Sequence, residues 1–251
     1  MISPLLSNSY LSFLDERWTK QCAQYGTLVR YADDFAIVCN TRADLEEAAR
    51  RVKLILKRLK LQLHPDKTRM VELRDGKQGF DFLGCHLHKE MSGRIWENER
   101  KRVYFLQRWP STTSVKRVKR RVKELTPKAA CHRDLRETIA KINPVLRGWG
   151  GYFATGNAAT KFNQVDGYVW KRLRNLMRRR KGRNLRAGER SRWTPDAFHE
   201  LGIHRLRGTV RYPGHAQLPR SERPPVSRVR VIRTPGLNGG PTHSRRKTVE
   251  G

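Results

Sequence analysis

Acidic residues are scarce in this sequence. Its 251 residues include 23 Asp and Glu against 54 Lys and Arg, which gives a formal net charge of +31 at pH 7. Such a surplus opposes compaction through self-repulsion unless a polyanion neutralises it. The imbalance therefore favours nucleic acid as the partner.

Cysteine is also scarce, and long apolar runs are missing. None of the four cysteines forms a CxxC pair, so neither a zinc ribbon nor a disulfide framework is indicated. No apolar run approaches the roughly 18 residues of a membrane span, and the sequence has no signal peptide. We expect a cytoplasmic protein with reduced thiols and no membrane partner.

The basic residues are concentrated in the second part of the chain. Residues 1–98 have a net charge of +3, whereas residues 99–251 have a net charge of +28. We predict an ordinary folded domain for the first range and a binding region for the second. A solubilising tail is the alternative, but the second range also contains Trp, Tyr and apolar periodicity, which a plain tail would lack.

The first part has the pattern of an α+β domain, in which a helix lies between pairs of strands. Thr41 and Asp44 have the spacing of an N-terminal capping box. Period-2 and period-3.6 patterns predict, in order, a helix over residues 4–14, strands over 27–31 and 35–39, a helix over 41–59, and strands over 68–74 and 79–88.

The second part of the sequence has the periodicity of helices. Apolar residues at steps of three and four predict amphipathic helices over residues 115–125, 135–149 and 162–176. One apolar stripe on each helix indicates a small bundle within residues 99–182. Residues 183–251 are predicted to form a basic, partly disordered segment, in which an island over residues 198–210 folds and residues 213–251 are mostly disordered.

An acidic pair, Asp33-Asp34, lies between the two predicted strands of the first part. A solvated hairpin turn is one interpretation, because Asp is a common turn residue. The apolar strands on both sides favour another, since they would hold the two carboxylates rigidly at a sheet edge. Two-metal phosphoryl transfer needs fixed oxygen ligands of this kind.

The acidic pair and several other segments of the sequence resemble one protein family. Tyr31-Ala32-Asp33-Asp34 resembles the YADD motif of reverse transcriptases. The other matching segments, in collinear order, are residues 2–15, 64–68, 79–84, 134–153 and 198–212. As a set they resemble the group II intron-encoded reverse transcriptases/maturases. The resemblance implies a partial reverse-transcriptase palm over residues 1–98 and a helical thumb, the maturase-specific domain, over residues 99–182.

The resemblance also implies roles for individual residues. Asp33 would be a catalytic carboxylate that binds Mg²⁺, and Asp34 would be its neighbour in the same acidic site. Lys67 would lie near the phosphates of the incoming nucleotide, although it could equally be a surface lysine. Gly84 would let the backbone approach the primer strand closely, although a strand bulge is the alternative.

The family's polymerase site needs a further metal-binding Asp, which we expect on a strand upstream of residue 1. Asp15 is not expected to replace it, because it matches a Leu-Asp pair of the family's own pattern. We therefore do not predict polymerase activity from this chain alone.

The resemblance implies that the chain binds intron RNA and acts in a ribonucleoprotein, where cations neutralise phosphates. Five aromatic residues could stack on unpaired bases: Trp149, Tyr152, Phe153, Tyr168 and Trp170. For most of the first three, a place in the bundle core is the favoured interpretation. The predicted RNA-binding residues are Arg117, Lys119, Arg120, Arg121, Lys123, Lys171, Arg172, Arg174, Arg178, Arg179, Arg180 and Lys181.

Four functional hypotheses follow. The first is an RNA-binding maturase, derived from an RNA-directed DNA polymerase, that assists folding and splicing of its intron. The second is the C-terminal half of a split or truncated reverse transcriptase, completed by a separate N-terminal polypeptide. The third is a remnant without function. The fourth is a general DNA-binding protein, and a DNA target is compatible with the first as well.

Overall fold

Residues 3–73, 76–91, 104–182, 186–211 and 230–234 are described by a computed structural model. Their contacts divide the chain into two units, one formed by residues 1–82 with 225–251 and the other by residues 83–224. The domain boundary predicted between residues 98 and 99 lies outside the described residues.

Helices and antiparallel strands alternate in the first unit, as the α+β prediction requires. Its described elements are α1 (Ser3–Gln21), β1 (Thr27–Tyr31), β2 (Asp34–Cys39), α2 (Arg42–Arg58), β3 (Arg69–Glu72), β4 (Gly79–Phe82) and β7 (Arg230–Thr234). A mixed fold with antiparallel sheets is therefore confirmed.

The sheet of the first unit has the strand order β1-β2-β7-β3. β7 pairs antiparallel with β2 and with β3, so Ile232 lies opposite Ile37 on one side and Met70 on the other. The sequence analysis missed this strand, because it assigned residues 213–251 to disorder from their composition. A five-residue segment with three β-branched residues cannot be assigned to a strand without knowing which strands it joins.

The core of the first unit lies between the sheet and its two long helices. Leu14 of α1, Val52 of α2 and Phe35 and Ile37 of β2 are each fully buried. Helix α2 begins where the capping box predicts, because the Thr41 hydroxyl accepts a 3.0 Å hydrogen bond from the Asp44 amide. This packing fixes β2, and with it the carboxylates at its start.

The second unit begins with two antiparallel strands, β5 (Cys85–Met91) and β6 (Tyr104–Pro110). The prediction of one strand over residues 79–88 was wrong, because Leu83 and Gly84 have φ of 48° and 75° and interrupt it. Positive φ is incompatible with a continuous strand. Strand β6 was not predicted, since the periodicity of the second part suggested helices alone.

A helical bundle follows, and the amphipathic patterns located its helices correctly. They are α3 (Thr112–Leu125), α4 (Leu135–Phe153) and α5 (Ala159–Arg180). Their apolar stripes meet in one core, in which Val122, Ile142, Phe162 and Leu173 are fully buried. The bundle therefore presents its polar helix faces to solvent.

The predicted island near the end of the bundle also folds. Two short helices, α6 (Ala187–Arg192) and α7 (Pro195–Glu200), lead into a segment that packs on α5. Phe198 and Leu206 are buried in the bundle core, and both oxygens of the Asp166 carboxylate accept backbone N–H groups of this segment. Within the described ranges, no helix is long and apolar enough to span a membrane.

Candidate nucleic-acid interface and acidic turn

The acidic pair lies at the tight connection between β1 and β2. Tyr31 pairs with Asp34 across the hairpin, so Ala32 and Asp33 form a two-residue loop. Ala32 has a φ of 53°, a left-handed conformation that costs a non-glycine residue free energy and persists only where its surroundings enforce it. Asp33 therefore projects from a constrained turn, and Asp34 is the first residue of β2.

Arg30 is the residue that braces this turn. Its Nε donates to Asp15 Oδ1 at 2.9 Å and its Nη2 donates to Asp15 Oδ2 at 2.5 Å, while its Nη1 donates to the Ala32 carbonyl at 2.8 Å. The hydrogen bonds that Arg30 donates to Asp15 raise the pKa of Arg30. One guanidinium thus ties helix α1 to the strained loop.

The acidic turn brings two carboxylates side by side. Asp33 and Asp34 are adjacent and partly buried, but no group of three or more His, Cys, Asp or Glu side chains that could hold a metal ion occurs among the described residues. The carboxylate of Asp15 is paired with Arg30.

The two residues assigned to substrate binding lie in turns. Lys67 is exposed in the turn that follows α2, and its backbone N–H donates to the His64 carbonyl. Gly84 has a packing reason to be glycine, because a Cβ there would lie 2.8 Å from the Ser114 hydroxyl. Their roles toward a nucleotide and a primer stay predictions.

The Gly84 carbonyl also positions the first basic helix. It accepts 2.8 Å hydrogen bonds from the Ser111 amide and from the Ser114 hydroxyl. Ser111 in turn caps α3, since its hydroxyl accepts from the Ser114 amide. The turn before β5 therefore fixes the start of the helix that carries the first group of predicted RNA-binding residues.

Helices α3 and α5 bring the two predicted groups of cations together. Lys119 of α3 lies over the ring of Tyr168 of α5, 5.6 Å from its centroid. Arg172 of α5 donates from Nε to the Thr126 hydroxyl at 2.9 Å and from Nη2 to the Thr126 carbonyl. The two predicted groups of cations thus lie on neighbouring, packed helices.

Some of the predicted cations have partners within the protein. Arg172 caps the C-terminal end of α3, and Arg174 lies over the indole of Trp170. Exposed ion pairs join Arg121 to Glu124 and Lys181 to Glu189. Arg172 and Arg174 therefore already make contacts within the bundle.

The remaining cations are available to a ligand. Among the described residues, the side chains of Arg117, Arg120, Lys123, Lys171, Arg178, Arg179 and Arg180 form no hydrogen bond or ion pair. Nearly all of them are exposed. We refer to this set as the free basic surface.

Of the three aromatic residues near the end of α4, two lie in the bundle core and one is exposed. Phe153 is buried and Trp149 packs against Phe153 and Phe162 in the bundle core. Tyr152 is 58% exposed, and its hydroxyl donates to the Leu83 carbonyl at 2.9 Å. Only Tyr152 of the three presents a large part of its ring to solvent.

Family comparisons match both parts of the chain. Residues 1–87 match the family described as reverse transcriptase (RNA-dependent DNA polymerase). Residues 115–193 match the family described as group II intron, maturase-specific domain. The chain belongs to the group II intron reverse transcriptases/maturases. A search of the curated proteins found no match.

The matches coincide with the candidate sites. The reverse-transcriptase match contains the acidic turn and Lys67, and the maturase-specific match contains the whole free basic surface. Two further residues were not predicted to have a role. Arg30 holds the acidic turn, and Gly167 lines a cavity in the bundle. Arg30 had no local signal, since its partner lies 15 residues away on another element.

Proposed function

We propose that this protein is a maturase that binds the RNA of its group II intron and assists its folding and splicing, within a cytoplasmic ribonucleoprotein. The observation that supports the proposal is the free basic surface of α3 and α5, because it lies inside the range that matches the maturase-specific domain. Its cations are held on packed helices and have no acidic partners in the described structure.

The physical role of the surface is to neutralise and position phosphates. Binding releases counterions from the RNA, so affinity should fall steeply with salt, by roughly 0.7–0.9 units of log–log slope for each phosphate neutralised. Rigid helices offer cations at fixed spacing, which favours a folded RNA over a flexible strand. The splicing chemistry belongs to the RNA in this proposal.

We further propose that the polymerase site is incomplete within this chain. Asp33 and Asp34 could ligate a divalent ion such as Mg²⁺ only if other groups supplied the remaining ligands. The brace from Arg30 to Asp15 and Ala32 supports a second candidate function, since it preserves the geometry of the turn. In that case a separate N-terminal polypeptide would complete a split reverse transcriptase.

Two assays test the proposal, one of nucleic-acid binding and one of polymerase activity. Filter binding of the purified chain to structured intron RNA is compared with binding to duplex DNA of equal length and at equal salt. Primer extension on an RNA template with Mg²⁺ is run for the native chain and for Asp33→Ala.

The outcomes separate the hypotheses. A clear preference for the intron RNA without primer extension supports the maturase. Extension that is lost in Asp33→Ala contradicts the proposal of an incomplete site and supports an active polymerase. Equal or stronger binding to duplex DNA supports a general DNA-binding protein, and no binding to either nucleic acid supports a remnant.

A further inference from the structure

A cavity of about 210 Å³ lies in the bundle between α5 and the segment that carries α7. Its apolar wall includes Val169, Leu173, Phe198 and Ile203. Drug-sized ligands occupy pockets of about 300–1,000 Å³, so this cavity suits a smaller group. All of its lining residues belong to the second unit.

Flat aromatic rings contribute to the cavity beside the apolar wall. The indole of Trp170 is fixed because its Nε1 donates to the Trp193 carbonyl at 2.9 Å. The imidazole of His199 is held by a 3.1 Å hydrogen bond to the Ile203 carbonyl, and His204 also lines the cavity. Arg174 covers one face of the Trp170 indole, so the opposite face is the stacking surface for a planar ligand.

Gly167 leaves the space beside α5 open. It lies in the interior of the helix, where glycine is less favourable than alanine. A Cβ at Gly167 would meet no heavy atom within 4 Å. Gly150 differs, because a Cβ there would lie 2.5 Å from Leu206. The packing of the protein therefore explains Gly150 but not Gly167, which is one of the lining residues of the cavity.

The polar groups of the cavity disfavour a phosphate. Asp166 is one of its lining residues, and the only arginine among them, Arg205, lies 3.6 Å from Asp196. Asp166 already accepts two backbone N–H groups, but its carboxylate retains further acceptor capacity. An uncharged planar group with N–H donors would fit these features better than an anion.

We propose that this cavity binds one unpaired nucleobase of the RNA, with the base between the aromatic rings and Gly167 and its N–H donors directed to Asp166. This inference rests on the proposed function, since it specifies how a bound RNA is held. The free basic surface would bind the phosphates, and the cavity would select a position at which a base is unstacked.

The experiment uses fluorescein-labelled hairpin RNAs that differ at one position. One carries a single bulged nucleotide, tested with each of the four bases, and its match carries an abasic bulge. Fluorescence anisotropy gives the affinities for the native protein, for Gly167→Ala and for Asn163→Ala, which changes an exposed side chain at the cavity. Gly148→Ala is the control, because Gly148 is also helical, exposed and unpacked but lies outside the cavity.

The native protein should bind at least one bulged hairpin about tenfold more tightly than its abasic match. Gly167→Ala should lose most of this preference while its thermal stability equals or slightly exceeds that of the native protein and its salt slope of binding is unchanged. Asn163→Ala should lose part of the preference. Gly148→Ala should behave like the native protein. Persistence of the preference in Gly167→Ala, or equal binding of all hairpins by the native protein, would overturn the base pocket while RNA binding itself stands. Absence of RNA binding would overturn both proposals.

Discussion

The guanidinium of Arg30 and the carboxylate of Asp15 form a paired contact that holds helix α1 to the acidic turn. The Arg30 side chain is only 13% exposed, whereas that of Asp15 is 40% exposed. The third nitrogen of the same guanidinium reaches the Ala32 carbonyl. The pair therefore stabilises a loop conformation that Ala32 alone would disfavour.

Asp15→Asn should destabilise the first unit, because it leaves the largely buried Arg30 without a counter-charge. We expect a loss of about 1–2 kcal/mol in the free energy of unfolding, measured by urea denaturation. Glu16→Gln, an exposed neighbour on α1, is the control and should change little. Equal stability of both variants would show that the pair does not brace the turn.

Strand β7 should be required by the first unit and dispensable for the bundle. A chain that ends at residue 229 lacks β7 and exposes the backbone donors and acceptors of β2 and β3 that it pairs with. Hydrogen exchange should then lose protection at β2 and keep it at α4. A chain that ends at Thr234 is the control, and unchanged protection in both would contradict the sheet order.

Neighbouring cations on α5 should have separable roles. Arg172→Ala removes the donors that satisfy the C-terminal carbonyls of α3 and should cost about 1–2 kcal/mol of stability. Lys171→Ala should leave stability unchanged, because Lys171 is exposed and has no partner among the described residues, and should weaken RNA binding instead. Thermal denaturation and filter binding of both variants test the difference, and a stability loss in Lys171→Ala would contradict the assignment.

His204 should make the bundle sensitive to acid. Burial, Arg147 and His199 lower the pKa of His204, and the nearby carboxylate of Asp166 opposes them. Because the folded state binds the proton less well than the unfolded state, the stabilising contribution is complete above pH about 6.5 and declines as pH falls below it. His204→Gln should flatten this decline in urea unfolding between pH 5 and pH 7, whereas an unchanged slope would exclude His204 as its source.

The sequence predicted local features well and non-local ones poorly. Thr41 and Asp44 located the start of α2, and the apolar steps located α3, α4 and α5, because these signals lie within one helix. Strand β7 and the partner of Arg30 depend on which distant segments meet. Gly84 was singled out for a close approach to nucleic acid, but its own neighbour Ser114 already requires glycine there.

We propose that the cations of α3 and α5 bind RNA phosphates. The most direct test is the salt dependence of intron RNA binding for the native chain and for a variant in which four cations of the surface become Gln. Those four are Arg117, Arg120, Lys171 and Arg178. A control variant carries the same change at four exposed cations of the first unit, Lys20, Lys53, Lys57 and Arg58.

We predict that the surface variant loses about three units of log–log slope and binds more weakly at every salt concentration, while the control retains nearly the native slope. An unchanged slope in the surface variant, or an equal loss in both variants, would contradict the account, because the protein would then attract RNA by its net charge rather than through this surface.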